Sequence, residues 1–437
     1  MKQAPEYDDE IGIAVYTSDA DGVGGYLRDH YTDFKVREIE DIDLEPLDAD
    51  SDDYPYLIIR VTLKNWDTNQ FARELSNKLG ISRERVSWAG TKDKRAITHQ
   101  LFSLKKITPE QLPTIPNTSI EPQGRLGRPL LFGDLLGNEF HIHISKPRDP
   151  KQIENIRAEL CSFGSGTPAV PNFFGHQRFG SNRQVTHKVG FDILDRDWQQ
   201  AVMRYLTTTS THESDRIQEI RNMVKHSKDW KKGLDKFPNK FQYERALLHE
   251  LQSLNPKNQS EYRQVLEVLP SNLQKLFIHA AQSFLFNRIV SQRLQQHEDL
   301  VLAMEGDIVC FTDQTDTVIV PDTDRIQRVK KRQLDTINRH CKRQNAFVTA
   351  PLIGTETRFS DGIQGEIERS VLNEYNITQT DFDLPAPYYS EGTRRAMLVY
   401  CPFSFSYSPL EVDFSLPKGA YATILLREIM KTSPQSL

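Results

Sequence analysis

Cysteine is scarce in this chain. The four in 437 residues, Cys161, Cys310, Cys341 and Cys401, lie far apart and form no CxxC pair. That usage excludes a disulfide framework and a cysteine-based zinc site, and fits reduced thiols in a cytosolic protein. Long apolar runs are missing as well. No run approaches the roughly 20 residues a membrane helix needs, and the opening MKQAPEYDDE lacks the apolar core of a secretory leader. A cytoplasmic protein without membrane attachment is expected. HExxH, GxSxG, Walker A and the dinucleotide-binding fingerprint are all absent,. "DGVGGY" (21–26) is glycine-rich, but no clear helix follows it. His141 and His143 share one strand face, with no third ligand near them,. Neither a metal nor a cofactor is expected.

What is present suits a soluble protein of two domains, with 38% hydrophobic and 26% charged residues,. The net charge of −5 argues superficially against a nucleic-acid partner. Its distribution argues the other way. Residues 38–53 hold nine acidic and no basic residues, and without them the net becomes +4. Residues 325–343 carry eight basic residues against one acidic, and 216–245 carry nine against four. Clustered cations matter more to phosphate binding than the whole-chain sum, although basic helices are commonly just solvated faces.

The texture changes along the chain. "LIIRVTLK" (57–64), "ITHQLFSL" (97–104) and "EFHIHIS" (139–145) alternate as half-buried strands do, and 86–90 reads as a short strand,. Phe71, Ala72, Leu75 and Leu79 fall on one helical stripe that Gly80 is placed to end,. Residues 153–163 also look helical. Past residue 182 the chain is polar and helical over 183–206, 214–226 and 241–268. Residues 272–294 give the strongest amphipathic helix, with Leu273, Leu276, Phe277, Ala280, Phe284 and Leu285 on its apolar side,. Strand signals return in 301–311, 316–320, 396–403 and 411–416, and a last helix is predicted over 421–431. The pattern describes an α+β domain made from both ends of the chain, interrupted by a mostly helical insertion.

Two stretches can carry chemistry. In "SWAGTKDKRAITHQ" (87–100), Asp93 is flanked by Lys92, Lys94 and Arg95. Nearby cations favour the carboxylate anion, and an ionised, oriented Asp can act as nucleophile, base or electrostatic stabiliser. Gly90 would permit a tight turn that projects it. The bland alternative is an ordinary charged turn. In "PNFFGHQRFG" (171–180), aromatic rings accompany Asn172, Gln177 and Arg178. Rings stack on an unstacked base while amide and guanidinium groups read edges or phosphates. The bland alternative is a core turn of buried phenylalanines, which two glycines at a spacing of five loosen.

These stretches resemble a known family. "AGTKDKRAITHQ" resembles the Asp-bearing motif of the TruD family of tRNA pseudouridine synthases, and "VPNFFGHQRFG" its second motif. "YTDFKVREI" (31–39), "SFLFNRIV" (283–290), "RRAMLVY" (394–400) and "LPKGAYATILLREI" (416–429) resemble further family motifs, in family order from residue 21 to 432. The resemblance implies an α+β pseudouridine synthase catalytic domain with a mostly antiparallel sheet at 1–185 and 395–437. A mostly helical TRUD insertion domain would occupy 186–394. It implies tRNA as partner, no cofactor, and isomerisation of a uridine, usually uridine 13, to pseudouridine.

Carried over by motif, Asp93 is the catalytic carboxylate. Phe34, Asn172 and Tyr421 stand at substrate-contacting positions, and Phe174 at the position that packs against the base. Arg28 stands where a basic residue, commonly Lys, pairs with the catalytic Asp, and its guanidinium can pair bidentately. Tyr421 stands where many members have Phe. Gln177 and Arg178 complete the expected substrate-binding set. The alternatives are a non-catalytic RNA-binding or RNA-chaperone protein on the same fold, and a glycoside hydrolase, for which no paired acid is evident. No conspicuous apolar stripe lies outside the expected core, so a monomer is expected.

Overall fold

The alternating segments become strands and the polar-apolar stripes become helices, in the order the texture suggests. The computed structural model describes residues 1–433 apart from 93, 181–182, 298 and 315–317, and gives 313–314 by main chain alone. A short α1 (Glu6–Asp9) precedes β1 (Phe34–Ile39), β2 (Tyr56–Lys64), α2 (Thr68–Leu79), β3 (Val86–Trp88), β4 (Ile97–Lys105), β5 (Thr118–Leu126), β6 (Gly137–His143), α3 (Gln152–Phe163) and β7 (Ala169–Pro171). Seven helices follow: α4 (Thr186–Leu194), α5 (Trp198–Thr207), α6 (Asp215–Ser227), α7 (Trp230–Lys236), α8 (Gln242–Leu254), α9 (Gln259–Glu267) and α10 (Ser271–His297). Next come β8 (Ile308–Gln314), β9 (Ile319–Arg328), α11 (Leu334–Lys342), β10 (Ala346–Leu352) and α12 (Gly362–Glu374). The chain ends with β11 (Thr393–Ala396), β12 (Leu398–Tyr400), β13 (Phe403–Tyr407), β14 (Leu410–Pro417) and α13 (Ala422–Met430). This is an α+β fold, as the sequence predicts.

The main sheet has eight strands in the order β13-β14-β6-β1-β4-β2-β5, with β3 paired to β4. Only the β1–β4 pair is parallel among its described registers. α2 forms as its stripe dictates. The Asp67 carboxylate accepts from Gln70 N at 2.9 Å to cap it,, and Gly80 ends it at φ 65°,. Its buried Phe71, Ala72 and Leu75 pack on Leu57, Ile59, Val61 and Leu63 of β2 and on Phe102 and Leu104 of β4. Phe71 meets Phe102 edge to face at 5.1 Å,. At the far end of the chain, the buried Glu428 carboxylate of α13 accepts from the main chain of Thr17 and Ser18, with Arg427 beside it at 3.1 Å.

The helical texture is also borne out, with two differences. Residues 183–206 and 241–268 are each broken in two: around Asp195–Asp197, where Arg196 is left-handed, and at Asn255, a left-handed cap before Pro256. The segment read as amphipathic, α10, is instead the central helix of its unit. Its buried residues include Gln274, Gln282, Ser283, Asn287 and Arg293 beside the apolar ones, so they cover the circumference rather than one stripe. It packs against α4, α9, α12 and β10. Its polar residues are satisfied internally; the Arg293 guanidinium, for example, lies 2.9 Å from Asp307.

The chain forms two compact units: residues 1–16, 171–311 and 322–398, and residues 17–170, 312–321 and 399–437. The boundaries expected from the motifs lie at 185/186 and 394/395. The unit around α10 extends beyond them because α10 holds both flanking segments. Asn287 Nδ2 donates to Ile11 O at 2.8 Å, Ser291 Oγ to Gly12 O at 2.9 Å, and Arg178 Nε to Ser283 Oγ at 3.1 Å. The four cysteines are free thiols, three of them buried. Among the described residues no helix is long and apolar enough to cross a membrane.

Candidate active site

Asp93 itself lies outside the described residues, so the site is built from the residues that flank it in sequence and from the other candidates. β1 alternates, turning Phe34, Val36 and Glu38 inward and Lys35 and Arg37 outward. Phe34 meets Phe140 of β6 edge to face at 6.1 Å, and Phe140 stacks on Phe414 of β14 at 5.0 Å. The Arg28 guanidinium lies over the Phe34 ring, 4.2 Å from its centroid, an arrangement that is attractive for a cation and a ring face. Arg28 takes a left-handed backbone, φ 61°, which for a residue with a side chain costs about 1–2 kcal/mol. Arg95 Nη2 donates to the Arg28 carbonyl at 2.9 Å. Two expected residues, Arg28 and Phe34, are thus in contact. Tyr421 shares their unit, half-buried at the N-cap of α13.

The cations around residue 93 do not all face one charge. Lys92 Nζ donates to Glu38 Oε1 at 2.6 Å, in a pair whose side chains are 10% and 2% exposed. Burial pushes the Glu38 carboxyl up from its ordinary value, against the opposing pull of Lys92,. Its other oxygen accepts from Leu101 N of β4 at 3.2 Å. Lys92 N donates to Thr68 Oγ1 at 3.0 Å, at the first turn of α2. Lys94 and Arg95 are exposed. Gly90 is not in the left-handed region, so a tight turn is not its purpose. A Cβ there would stand 3.3 Å from Lys92 Nζ and 3.5 Å from Glu38 Oε1; the missing side chain makes room for the ion pair.

In the other unit, residues 171–180 are knitted to 394–397. Asn172 N donates to Met397 O at 2.7 Å and its amide to Ala396 O at 2.9 Å, while its side-chain oxygen accepts from Arg395. Arg395 Nε also donates to Asn172 O at 3.2 Å. The Phe174 ring has the Arg395 guanidinium at 4.3 Å, that of Arg178 at 5.6 Å and the edge-on Phe286 ring at 5.5 Å. Asn287 of α10 grips the Phe174 main chain at both ends, N to Oδ1 at 2.9 Å and Nδ2 to O at 3.0 Å. His176 bridges the buried Asp8 at 2.8 Å and the Gln184 amide at 2.6 Å. Gln177 is exposed. What approaches Gly180 (φ 106°) is the chain itself, since a Cβ would meet Arg183 O at 2.4 Å. Asn172, Phe174 and Arg178 are therefore brought together.

Sequence reasoning missed Glu38, Thr68, Asn287 and Arg395. Glu38 opens the acidic stretch 38–53; the remainder of that stretch is largely exposed, and Glu40 pairs with Arg60 at 2.5 Å. Asn287 carries one legible signal, a polar residue amid Phe284, Leu285, Phe286, Ile289 and Val290, whereas Arg395, beside Arg394, carries none. The histidines of β6 are paired with carboxylates, His141 with Asp413 at 2.7 Å and His143 with Asp33 at 3.2 Å. Among the described residues no group of three or more His, Cys, Asp or Glu could hold a metal.

The basic clusters divide. In 216–245, Arg221 is buried and pairs with Glu213 and Glu244 at 2.8 and 2.9 Å, while Lys225 and Lys228 line an open cleft of about 630 Å³ with Asn222, Arg204 and Thr207 to Thr209. In 325–343, seven of the eight cations are exposed, and α11 turns Ile337 and Cys341 inward. That surface is suited to phosphates.

Comparison with known proteins places this geometry. The sequence model of one family, described as tRNA pseudouridine synthase D (TruD), matches residues 10–429. A Halobacterium salinarum protein named "Probable tRNA pseudouridine synthase D" is 48% identical over the full length of both chains. One of the same name from Archaeoglobus fulgidus is 36% identical, covering 97% of this chain and 99% of the relative. A crystal structure of a Methanosarcina mazei protein named "Putative tRNA pseudouridine synthase D (TruD)" superposes with a TM-score of 0.83 at 35% identity, covering 99% of this chain and all of that one. With the family matched from end to end in both sequence and fold, the chain belongs to the TruD family.

Proposed function

We propose that this chain isomerises a uridine of tRNA to pseudouridine, that the uridine is position 13, and that Asp93 is the reagent. Membership of the family makes the protein a tRNA pseudouridine synthase, an isomerase. The target base leaves its stack at a cost of a few kcal/mol. Asp93 either attacks C1′ of the ribose, forming a bond that breaks again when C5 attacks, or takes a proton from C2′ that it later returns. Either way the N-glycosidic bond breaks, the uracil turns, C5 bonds to C1′, and C5 gives up a proton while N1 gains one. No atom is gained or lost. Phe34, Asn172, Phe174, Tyr421, Gln177 and Arg178 are the substrate-binding set. Arg28 supplies positive charge for the Asp93 carboxylate, and the exposed cations of 325–343 meet phosphates. The catalytic domain comprises 1–185 and 395–437, and the insertion domain 186–394.

The observation that carries this reading is the position of Asp93 in its motif, directly after a residue tied by its main chain to α2 and by its side chain to β1. A chain that only binds RNA has little use for so elaborate an anchor beside an anion that repels phosphates. The test is a primer-extension map of pseudouridine on unmodified tRNA, with wild type and Asp93→Asn. Wild type is expected to give one stop, corresponding to uridine 13, and the variant none while still binding tRNA. A variant that produces pseudouridine at the wild-type rate would falsify the assignment of Asp93. Binding without product from wild type would favour the non-catalytic reading.

A further inference from the structure

We propose that Glu38 and Thr68 are positioning residues of the reaction: between them they fix the side chain and main chain of Lys92, and through it the point from which the next residue, Asp93, is delivered. The inference rests on the reading of Asp93 given above.

Thr68 is wholly buried, one residue inside a capped helix whose Phe71, Ala72 and Leu75 are locked into the sheet. Its hydroxyl accepts from Lys92 N at 3.0 Å and has one proton to offer, to Lys92 O or to Gln100 Oε1, both at 3.4 Å. The side chain of Lys92 is held independently. Glu38 takes its ammonium at 2.6 Å, and Glu38 is itself fixed, because its second oxygen accepts from Leu101 N. Gly90 keeps the space for this pair open. The loop that leaves β3 is therefore tied at one residue to α2 and β1, through Thr68 and Glu38, which are themselves bonded to Gln100 and Leu101 of β4.

A buried ion pair is weak evidence of a gain in stability, because desolvation offsets the attraction. What this one supplies is geometry. Both of its oxygens and the main chain of its lysine have assigned partners, so Lys92 has little freedom to shift. Reaction requires the attacking atom within about 3–3.5 Å of its target, and a displacement of about 1 Å costs roughly 100-fold in rate. A loop end that bears the reagent is where such a restraint acts on rate rather than on binding.

The test is single-turnover pseudouridine formation on unmodified tRNA, with tRNA Kd and Tm measured alongside, for wild type, Asp93→Asn, Thr68→Val and Thr68→Ser. Thr68→Val keeps the branched shape and loses the hydroxyl; Thr68→Ser keeps the hydroxyl. Thr68→Val is expected to slow the reaction by about 10- to 100-fold with tRNA Kd unchanged, and Thr68→Ser to restore the rate. A wild-type rate in Thr68→Val, or equal slowing in Thr68→Ser, overturns the inference. So does a loss of tRNA binding that accounts for the whole effect. If Thr68→Val does not fold, the double variant Glu38→Gln/Lys92→Met removes the pair without leaving a lone charge. It must then show the same slowing at unchanged Kd, and a wild-type rate overturns the inference. The controls separate the failures. Inactive wild type, or active Asp93→Asn, refutes the reading of Asp93 and this inference with it. Active wild type, inactive Asp93→Asn and a fully active Thr68→Val refute this inference alone.

Discussion

Asn287→Leu is the perturbation that tests the architecture of the second motif. Asn287 is fully buried on α10, and its amide makes three hydrogen bonds: from Phe174 N at 2.9 Å, to Phe174 O at 3.0 Å and to Ile11 O at 2.8 Å. Leucine branches at the same carbon and is somewhat larger, so no cavity forms; the loss is one of hydrogen bonding, with some crowding added. Each bond contributes a net of about 1 kcal/mol, and each backbone group left buried without a partner costs about 1–3 kcal/mol. Apolar burial of the leucine returns part of this, which leaves a destabilisation of about 3–5 kcal/mol. For a unit of this size that lowers Tm by about 6–20 °C. Ser291→Ala, which loses bonds to Ala14 N at 3.1 Å and Gly12 O at 2.9 Å, serves as the milder comparison and is expected to cost about 2 kcal/mol. The assay is thermal unfolding followed by circular dichroism, with tRNA binding measured below the transition. If Asn287→Leu unfolds within about 1 kcal/mol of wild type, the idea that this amide holds the Phe174 loop in place is wrong.

Two other predictions follow from charge. His187 of α4 is buried, stacked at 5.1 Å on Phe284, and held down to about 3, mainly by burial and then by Lys188 and Arg204. The unfolded chain therefore takes up a proton near pH 6.5 that the folded chain refuses. Stability is lost as pH falls below that value, by about 1.4 kcal/mol per pH unit, until pH reaches about 3,. His187→Phe should flatten the stability curve by about that slope between pH 6 and 4 relative to wild type, and parallel curves would refute it. The exposed cations of 325–343 should set salt dependence: Arg332→Gln with Arg339→Gln should reduce the slope of log Kd against log salt for tRNA by about 1.5–2, and an unchanged slope would remove this surface from the interface.

Some of this was legible in the sequence and some was not, for reasons that lie in particular residues. α2 could be read because one face is apolar, the other polar, and Gly80 marks its end. α10 misled because a helix buried on all sides hides its polar residues among apolar ones; Asn287 and Arg293 look like surface residues until their partners are known. Glu38 was illegible for the opposite reason. Eight further acids follow it within fifteen residues, and nothing local distinguishes the one whose partner lies fifty-four residues away. Gly90 suggests a tight turn, whereas the atom that a side chain there would crowd is Lys92 Nζ, at 3.3 Å, whose position is set by its partner on β1. The pairing of Asn172 with Arg395 spans 223 residues and follows from no spacing. The family motif reaches Asn172, whereas periodicity reaches neither partner.

The strand order has a consequence for the life of the chain before it is finished. β6 pairs on one side with β1 and on the other with β14, whose residues Glu411–Pro417 match His143–Gly137. About 270 residues separate those partners, so at roughly 5–20 residues per second a ribosome needs about 13–55 s to supply the second. Throughout that interval β6 is an unpaired edge, open to pairing with any other strand. Its outward-facing row is Glu139, His141 and His143, which makes the waiting edge polar and unattractive to another strand. These two histidines thus protect a sheet whose last interior strand is made long after the others.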